Sequence, residues 1–189
     1  MTEWLKGLLA AVLAAAAGPS PADSNSWQST DTESDLQFET RYEEQALNGR
    51  FNSFSVIVTL DGNDEFPVAL KVLVDVASAD MNDRDVNSEL EQPAWFDSIA
   101  FPQAIFESDE LVRVDSESYI ARGALSLKGV SRDLEVPLAW RRNSATATIA
   151  GSMDLSRLAW NIGSGEWAET DVISDTVKLT YRITLLPAD

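Results

Sequence analysis

Neither histidine nor cysteine occurs anywhere in the 189 residues. Without them no Ser-His or Cys-His nucleophile can be assembled, and zinc or haem held through those side chains is excluded as well. The missing cysteines also rule out disulfides and a lipid attached to an N-terminal Cys. The folded part must therefore be held by its hydrophobic core alone, which is feasible at this length. Cations are scarce: 14 Lys and Arg stand against 31 Asp and Glu, a net charge of −17. Nucleic acid and anionic membrane surfaces would be repelled by such a chain. No Gly-rich phosphate loop is present, because Gly163-Ser164-Gly165 lacks the strand-to-helix context that would make it one.

Long apolar runs are lacking too. Gly7 to Ala17 is apolar for eleven residues, short of the ~20 needed to span a bilayer. It follows a short polar start, Thr2 to Lys6, ends on the small residues Ala15-Ala16-Ala17, and is followed by Ser20-Pro21-Ala22. Residues 1–22 therefore read as a secretory signal peptide, cut after Ala17 or Ala22, and the mature protein is expected to be periplasmic. Residues 18–33 are rich in Pro, Ser and Asp, so 23–33 reads as a flexible lead-in, with Trp27 as the exception. Residues 34–189 are expected to form a single domain.

What is present is period-two alternation. Tyr119, Ala121, Gly123, Leu125 and Leu127 share one face of a run that ends at Lys128-Gly129. Leu134, Val136, Leu138 and Trp140 then share one face of the next, and a Gly-containing connection between two such runs marks a β-hairpin. The same alternation appears at Leu36, Phe38, Thr40 and Tyr42, at Phe54, Val56, Val58 and Leu60, and at Val68, Leu70, Val72, Val74 and Val76. Phe51 has the wrong parity for its run, which predicts a bulge near Asn52-Ser53. Further strands are expected at Ala104 to Ser108, Leu111 to Val114, Ala145 to Asp154 and Val177 to Leu185. About eight strands with no βαβ alternation imply an antiparallel sheet. A closed barrel is the favoured form because it removes exposed edges, and a flat sandwich is the alternative.

Between strands, 78–102 loses the alternation and reads as a lid or plug with short helices at Asp83 to Leu90 and Pro93 to Asp97. Its acids, Asp80 to Glu89, invite a calcium reading. A loop starting at Asp83 needs Gly at its sixth position and Glu at its twelfth, and Ser88 and Ala94 stand there. Helix capping by Asp is the better reading. No metal site, cofactor or catalytic set is expected. With 31 acids some carboxylate pair must lie close, but nothing selects one.

Several segments resemble the YceI family of periplasmic lipid-binding proteins, whose lipocalin-like members bind polyisoprenoid chains. They are SDLQF from Ser34, Leu47 to Phe51, VDVASADMNDRDVNSEL, Trp95-Phe96-Asp97, Phe101 to Ser108, Gly123 to Val130, and Arg157 to Gly163. The resemblance covers Ser34 to Leu185, and it rests on the order and spacing of these segments together. It implies an all-β fold, an eight-stranded antiparallel lipocalin-like barrel with one or two short helices in connecting loops. It further implies an interior that holds an isoprenoid such as a quinone, or a fatty-acyl amphiphile, possession of no catalytic residues, and dimers in some members. Ala159-Trp160 departs from the acid and Phe that many relatives carry, which bears on the shape of one end of the pocket.

An eight-stranded barrel is wide enough either to fill with side chains or to hold one small ligand. The small inward residues Ala121 and Gly123 favour the open form, as do loop aromatics able to close a mouth. The expected ligand contacts are Phe38, Val72, Val74, Trp95, Phe96, Phe101, Phe106, Ala121, Gly123, Leu125, Leu134, Leu138, Trp140, Arg157 and Trp160. Each has a plainer reading. The aliphatic residues pack the core of any β protein, and Trp95 and Phe96 either plug one end or line the pocket. Arg157 either meets a polar head group bidentately or pairs with Asp154 or Asp171. The expected partner is an apolar lipid, with no nucleic acid and no membrane insertion after cleavage. Two other functions stay open: an interaction or stress-response module with a filled barrel, and an enzyme using carboxylates or Arg157.

Overall fold

Lys128 and Gly129 both adopt positive φ, 48° and 73°, the two left-handed residues that a tight hairpin turn needs to match the twist of its strands. They join β8 (Ser118–Leu127) to β9 (Val130–Arg142), paired in register from Leu127↔Val130 to Ser118↔Ala139. The structure is a computed structural model that describes residues 25–30, 33–63 and 65–188. The expected signal peptide, residues 1–22, lies outside the described residues.

The other strands are β1 (Ser26–Ser29), β2 (Asp35–Tyr42), β3 (Gln45–Phe51), β4 (Phe54–Leu60), β5 (Pro67–Asp75), β6 (Ala79–Asp80), β7 (Gln103–Arg113), β10 (Ala147–Ser156) and β11 (Thr176–Pro187). All pair antiparallel, and the order β1-β4-β5-β7-β8-β9-β10-β11 returns to β1 through Trp27↔Pro187. β2 continues along the β11 edge that β1 leaves, and β3 runs into β4 across Asn52-Ser53. The result is a closed eight-stranded barrel, with β1 and β2 sharing one position in the ring and β3 and β4 another.

Three local departures have physical causes. The stretch expected to be flexible before residue 34 includes β1, because Trp27 is buried against Trp140 in an edge-to-face pair at 6.3 Å and carries its neighbours into the ladder. Val68 points out, 45 % exposed, because Leu60 pairs with Pro67 while Thr59 pairs with Ala69, which leaves Val68 as the extra residue of a bulge. The two strands expected at 104–108 and 111–114 are one strand, β7, with a second bulge between Ser108 and Glu110. The break at Asn52-Ser53 falls where the parity of Phe51 requires it.

In the long insert a helix α1 spans Arg84–Leu90, capped by the Asp83 carboxylate, which accepts from the amides of Asp85 (2.9 Å) and Val86 (3.2 Å). Pro93–Asp97 is a series of turns, not a helix: the amides of Trp95 and Asp97 both donate to the carbonyl of Gln92. Asp80 accepts from the side chain of Asn87 (3.0 Å) and the amide of Asn82 (2.9 Å). These bonds, that of Asn87 foremost, hold its carboxyl below the usual range.

The ring has a seam. β9 and β10 pair only from Arg142↔Ala147 to Ala139↔Ala150 and then diverge. Tyr181 on β11 crosses the gap above Gly151 to donate its hydroxyl to the carbonyl of Pro137. A Cβ at residue 151 would sit 2.5 Å from both oxygens, so glycine is required for that crossing. Further along, the 3-10 turn Arg157–Trp160 and its continuation cover the seam. Arg132 donates to the carbonyl of Ala159 (2.7 Å), Lys128 to that of Asn161 (2.8 Å) and the Trp160 indole to that of Leu125 (3.2 Å).

Candidate functional site

Side chains fill the barrel at its β1 end. Trp27, Val58, Leu60, Tyr119, Ala121, Trp140, Ala147 and Leu185 belong to one buried cluster there. A second cluster, Phe38, Ala79 and Leu90 with Phe51, Trp95 and Phe96 against it, lies under α1. Between and beside them the barrel is hollow. A cavity of about 440 Å³ is lined by Leu36, Phe38, Phe51 and Phe54, by Val72, Val74 and Phe106, and by Leu125, Leu134, Val136 and Leu138, among others. That volume lies within the range of small-ligand sites, ~300–1,000 Å³. Leu125, Leu134, Val136 and Met153 face inward yet are only half-buried, as close-packed core residues would not be.

The mouth is marked by lining residues that also meet solvent: Tyr42 at the end of β2, 42 % exposed, and Val86 on α1, 38 % exposed. Glu89 and Leu90 line the cavity from the same helix, three and four residues after Val86. This is the spacing that places side chains on one helical face. Trp167 also lines the cavity, its ring 5.8 Å from that of Trp95.

Few lining residues are polar, and most of those are turned into the protein. The Thr40 hydroxyl lies 3.4 Å from the carbonyls of Ser174 and Thr176, and that of Ser156 donates to Asp175 (2.9 Å). Burial pushes the Tyr181 phenol well above the ordinary tyrosine value. Arg157, 4 % exposed, spends its whole guanidinium on backbone. Nε donates to Ser174 (3.0 Å), Nη1 to Ile162 (2.9 Å) and Gly163 (2.8 Å), and Nη2 to Trp167 and Ile173 (both 2.8 Å). A guanidinium has five N–H donors, and all are used. Burial draws its pKa down, partly offset by Asp175.

Of the residues expected to contact a ligand, Phe38, Val72, Val74, Trp95, Phe96, Phe106, Leu125, Leu134, Leu138, Arg157 and Trp160 stand on the cavity wall. Ala121 and Trp140 do not: both belong to the packed cluster at the closed end, Trp140 against Trp27. Phe101 is on the outside, its ring 2.8 Å from where a Cβ on Gly129 would stand. Gly123 is small for another reason. A Cβ there would lie 2.0 Å from the Glu107 carbonyl oxygen and 2.5 Å from the Ser108 Cα, so the bulged backbone of β7 already fills the space. Arg157 pairs with neither Asp154 nor Asp171 and has no donor left for a head group. Leu36, Phe54, Val136, Val177 and Leu179 were missed as lining residues although their alternation announces an inward face, and Val86, Glu89 and Leu90 although their helical spacing does.

The architecture is that of a closed antiparallel barrel with an apolar chamber opening beside one short helix. The YceI-like domain model matches residues 27–185, and the chain belongs to that family. It is similar to Burkholderia cenocepacia BcnA, with a TM-score of 0.77 and 28% identity over 82% of this chain and 98% of that one. It shares its fold with a polyisoprenoid binding domain from Saccharophagus degradans implicated in plant cell wall breakdown (TM-score 0.71, 15% identity, 86% of this chain and 98% of that one). Among sequences, a UPF0312 protein of Photorhabdus laumondii is 30% identical over 86 residues, which is 46% of this chain and 44% of that protein. A Yersinia pestis UPF0312 protein is 31% identical over the same extent. The matched region thus spans less than half the length of these relatives. Among the described residues no helix is long and apolar enough to cross a membrane.

Proposed function

We infer that the protein binds a long-chain isoprenoid, such as a quinone, or a fatty-acyl amphiphile inside the barrel, and carries or sequesters it in the periplasm. The carrying observation is the cavity of about 440 Å³, whose wall is apolar apart from a few side chains. Water gains little from such a wall, whereas each buried methylene contributes about 0.8 kcal/mol. One five-carbon isoprene unit therefore contributes about 4 kcal/mol before ordering costs are subtracted. Membership of the YceI family and the likeness to a polyisoprenoid binding domain support the same reading. A hollow interior counts against the filled-barrel interaction module. Binding without catalysis agrees with Arg157, Ser156 and Thr40 being committed to hydrogen bonds within the protein.

The periplasmic location follows from residues 1–22 as a secretory signal, and cell fractionation of the full chain checks it. Native mass spectrometry of gently purified protein is expected to show a co-purifying apolar molecule. Repeated recovery of empty protein that also fails to take up quinone or fatty acid would overturn the carrier reading.

A further inference from the structure

Eight large apolar side chains among the described residues are more than a third exposed, and three of them gather at one place. Tyr42 and Val86 stand on the rim of the cavity, where its wall meets solvent. Val172, 40 % exposed, joins them: Tyr42 bridges to Ile173, a lining residue, and the Glu43 amide donates to the Val172 carbonyl (2.6 Å). The apolar rim is therefore drawn from three segments, the turn after β2, helix α1 and the loop that leads into β11. Single exposed apolar side chains are ordinary, but several around one opening mark a surface that another molecule covers.

The charge around these side chains has one sign. Residues 41–44, 83–91 and 166–172 carry nine acids against two cations, Arg41 and Arg84. None of the ion pairs among the described residues involves them: Lys71–Glu107, Arg122–Glu110, Arg122–Glu135 and Arg141–Glu117 all lie on or beside β5 and β7 to β9. Arg41 is turned to the backbone carbonyl of Glu44. The acidity of the mouth is thus not neutralised within the chain, and it decides between occupants. An anionic lipid surface is repelled. A second copy docked mouth to mouth about a twofold axis would set the same nine acids against themselves. What complements the rim is an apolar patch edged with Lys and Arg.

We propose that the mouth of the barrel is a docking surface for a protein whose exposed apolar patch is ringed by basic side chains. Tyr42, Val86 and Val172 are its anchors, and the acids of the three flanking segments guide the partner in. An aromatic and aliphatic centre supplies binding energy in such an interface, while the charged rim sets the association rate and the choice of partner. The surface belongs to the outside of the rim, so the proposal stands apart from the carrier reading.

The test uses the protein without added lipid and a fluorescein-labelled helical peptide with Leu along one face and Lys on either side of it, compared with the same peptide carrying Glu for Lys. Fluorescence anisotropy is expected to show binding of the basic peptide alone, weakened at least about tenfold as salt rises from ~0.02 M to ~0.5 M. Asp171→Lys and Glu44→Lys are each expected to lose about fivefold in affinity, as reversal of one rim charge gives, and Val172→Ser about fivefold through lost apolar contact. Glu65→Lys makes the same change of net charge beside the closed end, where its amide donates to Asp61 next to Leu60, and should lose less than about twofold. All four positions are exposed, so the fold tolerates the changes, which circular dichroism checks. Failure of the basic peptide to bind, or equal binding of the two peptides, would overturn the proposal. An equal loss in Glu65→Lys and the rim variants would overturn it too, for the attraction would then be to the whole acidic protein and not to the mouth. Self-association that Val172→Ser removes would assign the face to a second copy, and binding to phosphatidylglycerol vesicles at low salt would assign it to a membrane. Uptake of quinone or fatty acid is read separately, so a failed carrier and a failed docking surface are told apart.

Discussion

Substituting Val136 by Phe separates a hollow barrel from a packed one, because the two give stability changes of opposite sign. Val136 lies on the inward face of β9, lines the cavity and is only half-buried. Phenylalanine adds about four carbon atoms pointing into that space. A tail that forfeits as many methylene positions loses about 0.8 kcal/mol for each, about 3 kcal/mol in all, or roughly a hundredfold in affinity. Stability should hold or rise, since the new ring buries its own surface in a void of about 440 Å³ without displacing protein atoms. In a packed interior the same ring would cost about 1–3 kcal/mol through forced rotamers and backbone shifts. Displacement of the fluorescent probe N-phenyl-1-naphthylamine gives the affinity, and urea unfolding followed by circular dichroism gives the stability. Destabilisation by about 2 kcal/mol with probe binding unchanged would refute the reasoning, for it would mean that the space is filled and the ligand lies elsewhere.

Three further outcomes follow from particular contacts. Arg157→Lys keeps the charge but offers at most three donors where five are used, and it should lose about 3 kcal/mol or more in urea unfolding, with carbonyls of 162–174 left unpaired. Gly123→Ala should cost about 1–3 kcal/mol, because its methyl meets the β7 backbone and not the cavity; an unchanged stability would show that the space beside Gly123 is open. Tyr181→Phe removes the bond to Pro137 and should cost about 1 kcal/mol at neutral pH. Burial raises the folded phenol pKa above its unfolded value of 10.0, so that contribution is whole below pH 10 and fades as pH rises further, when the unfolded chain ionises first. The stability gap between wild type and Tyr181→Phe should therefore narrow above pH 10, and a gap that stays constant through alkaline unfolding would contradict it.

Much of the barrel was legible because alternation is a local signal. Leu134, Val136 and Leu138 face one way by geometry alone, and Lys128-Gly129 announces its own turn. What could not be read depends on where distant strands come to lie. Gly123 looks like an empty place in the sequence, yet whether a glycine leaves room or is pressed by a neighbour depends on a bulge in another strand at Ser108. Bulges also invert parity, which is why Val68 points outward from a run that otherwise alternates faithfully. Trp140 takes its meaning from Trp27, separated from it by most of the chain. Arg157 was expected to meet a head group or an Asp, but its partners are backbone carbonyls, and carbonyls carry no residue-type signal to read. The helical face of Val86, Glu89 and Leu90 was readable, and it was passed over because the insert was taken as a cover and not as part of the wall.

The closure of the ring bears on how the molecule comes to be folded. β1 joins β11 through Trp27↔Pro187 and Ser29↔Leu185, so the seal is made between the two ends of the described chain. Pairings so remote in sequence must be reached by diffusion before they return any free energy, and topologies dominated by them fold slowly. Until β11 arrives, the inward faces of β4, β8 and β10 have no finished interior to bury them. A chain passed unfolded through a membrane would meet this difficulty all at once on the far side. If the barrel binds an apolar tail as proposed, a tail lying in the half-made chamber would offer those faces an apolar surface before the wall is complete.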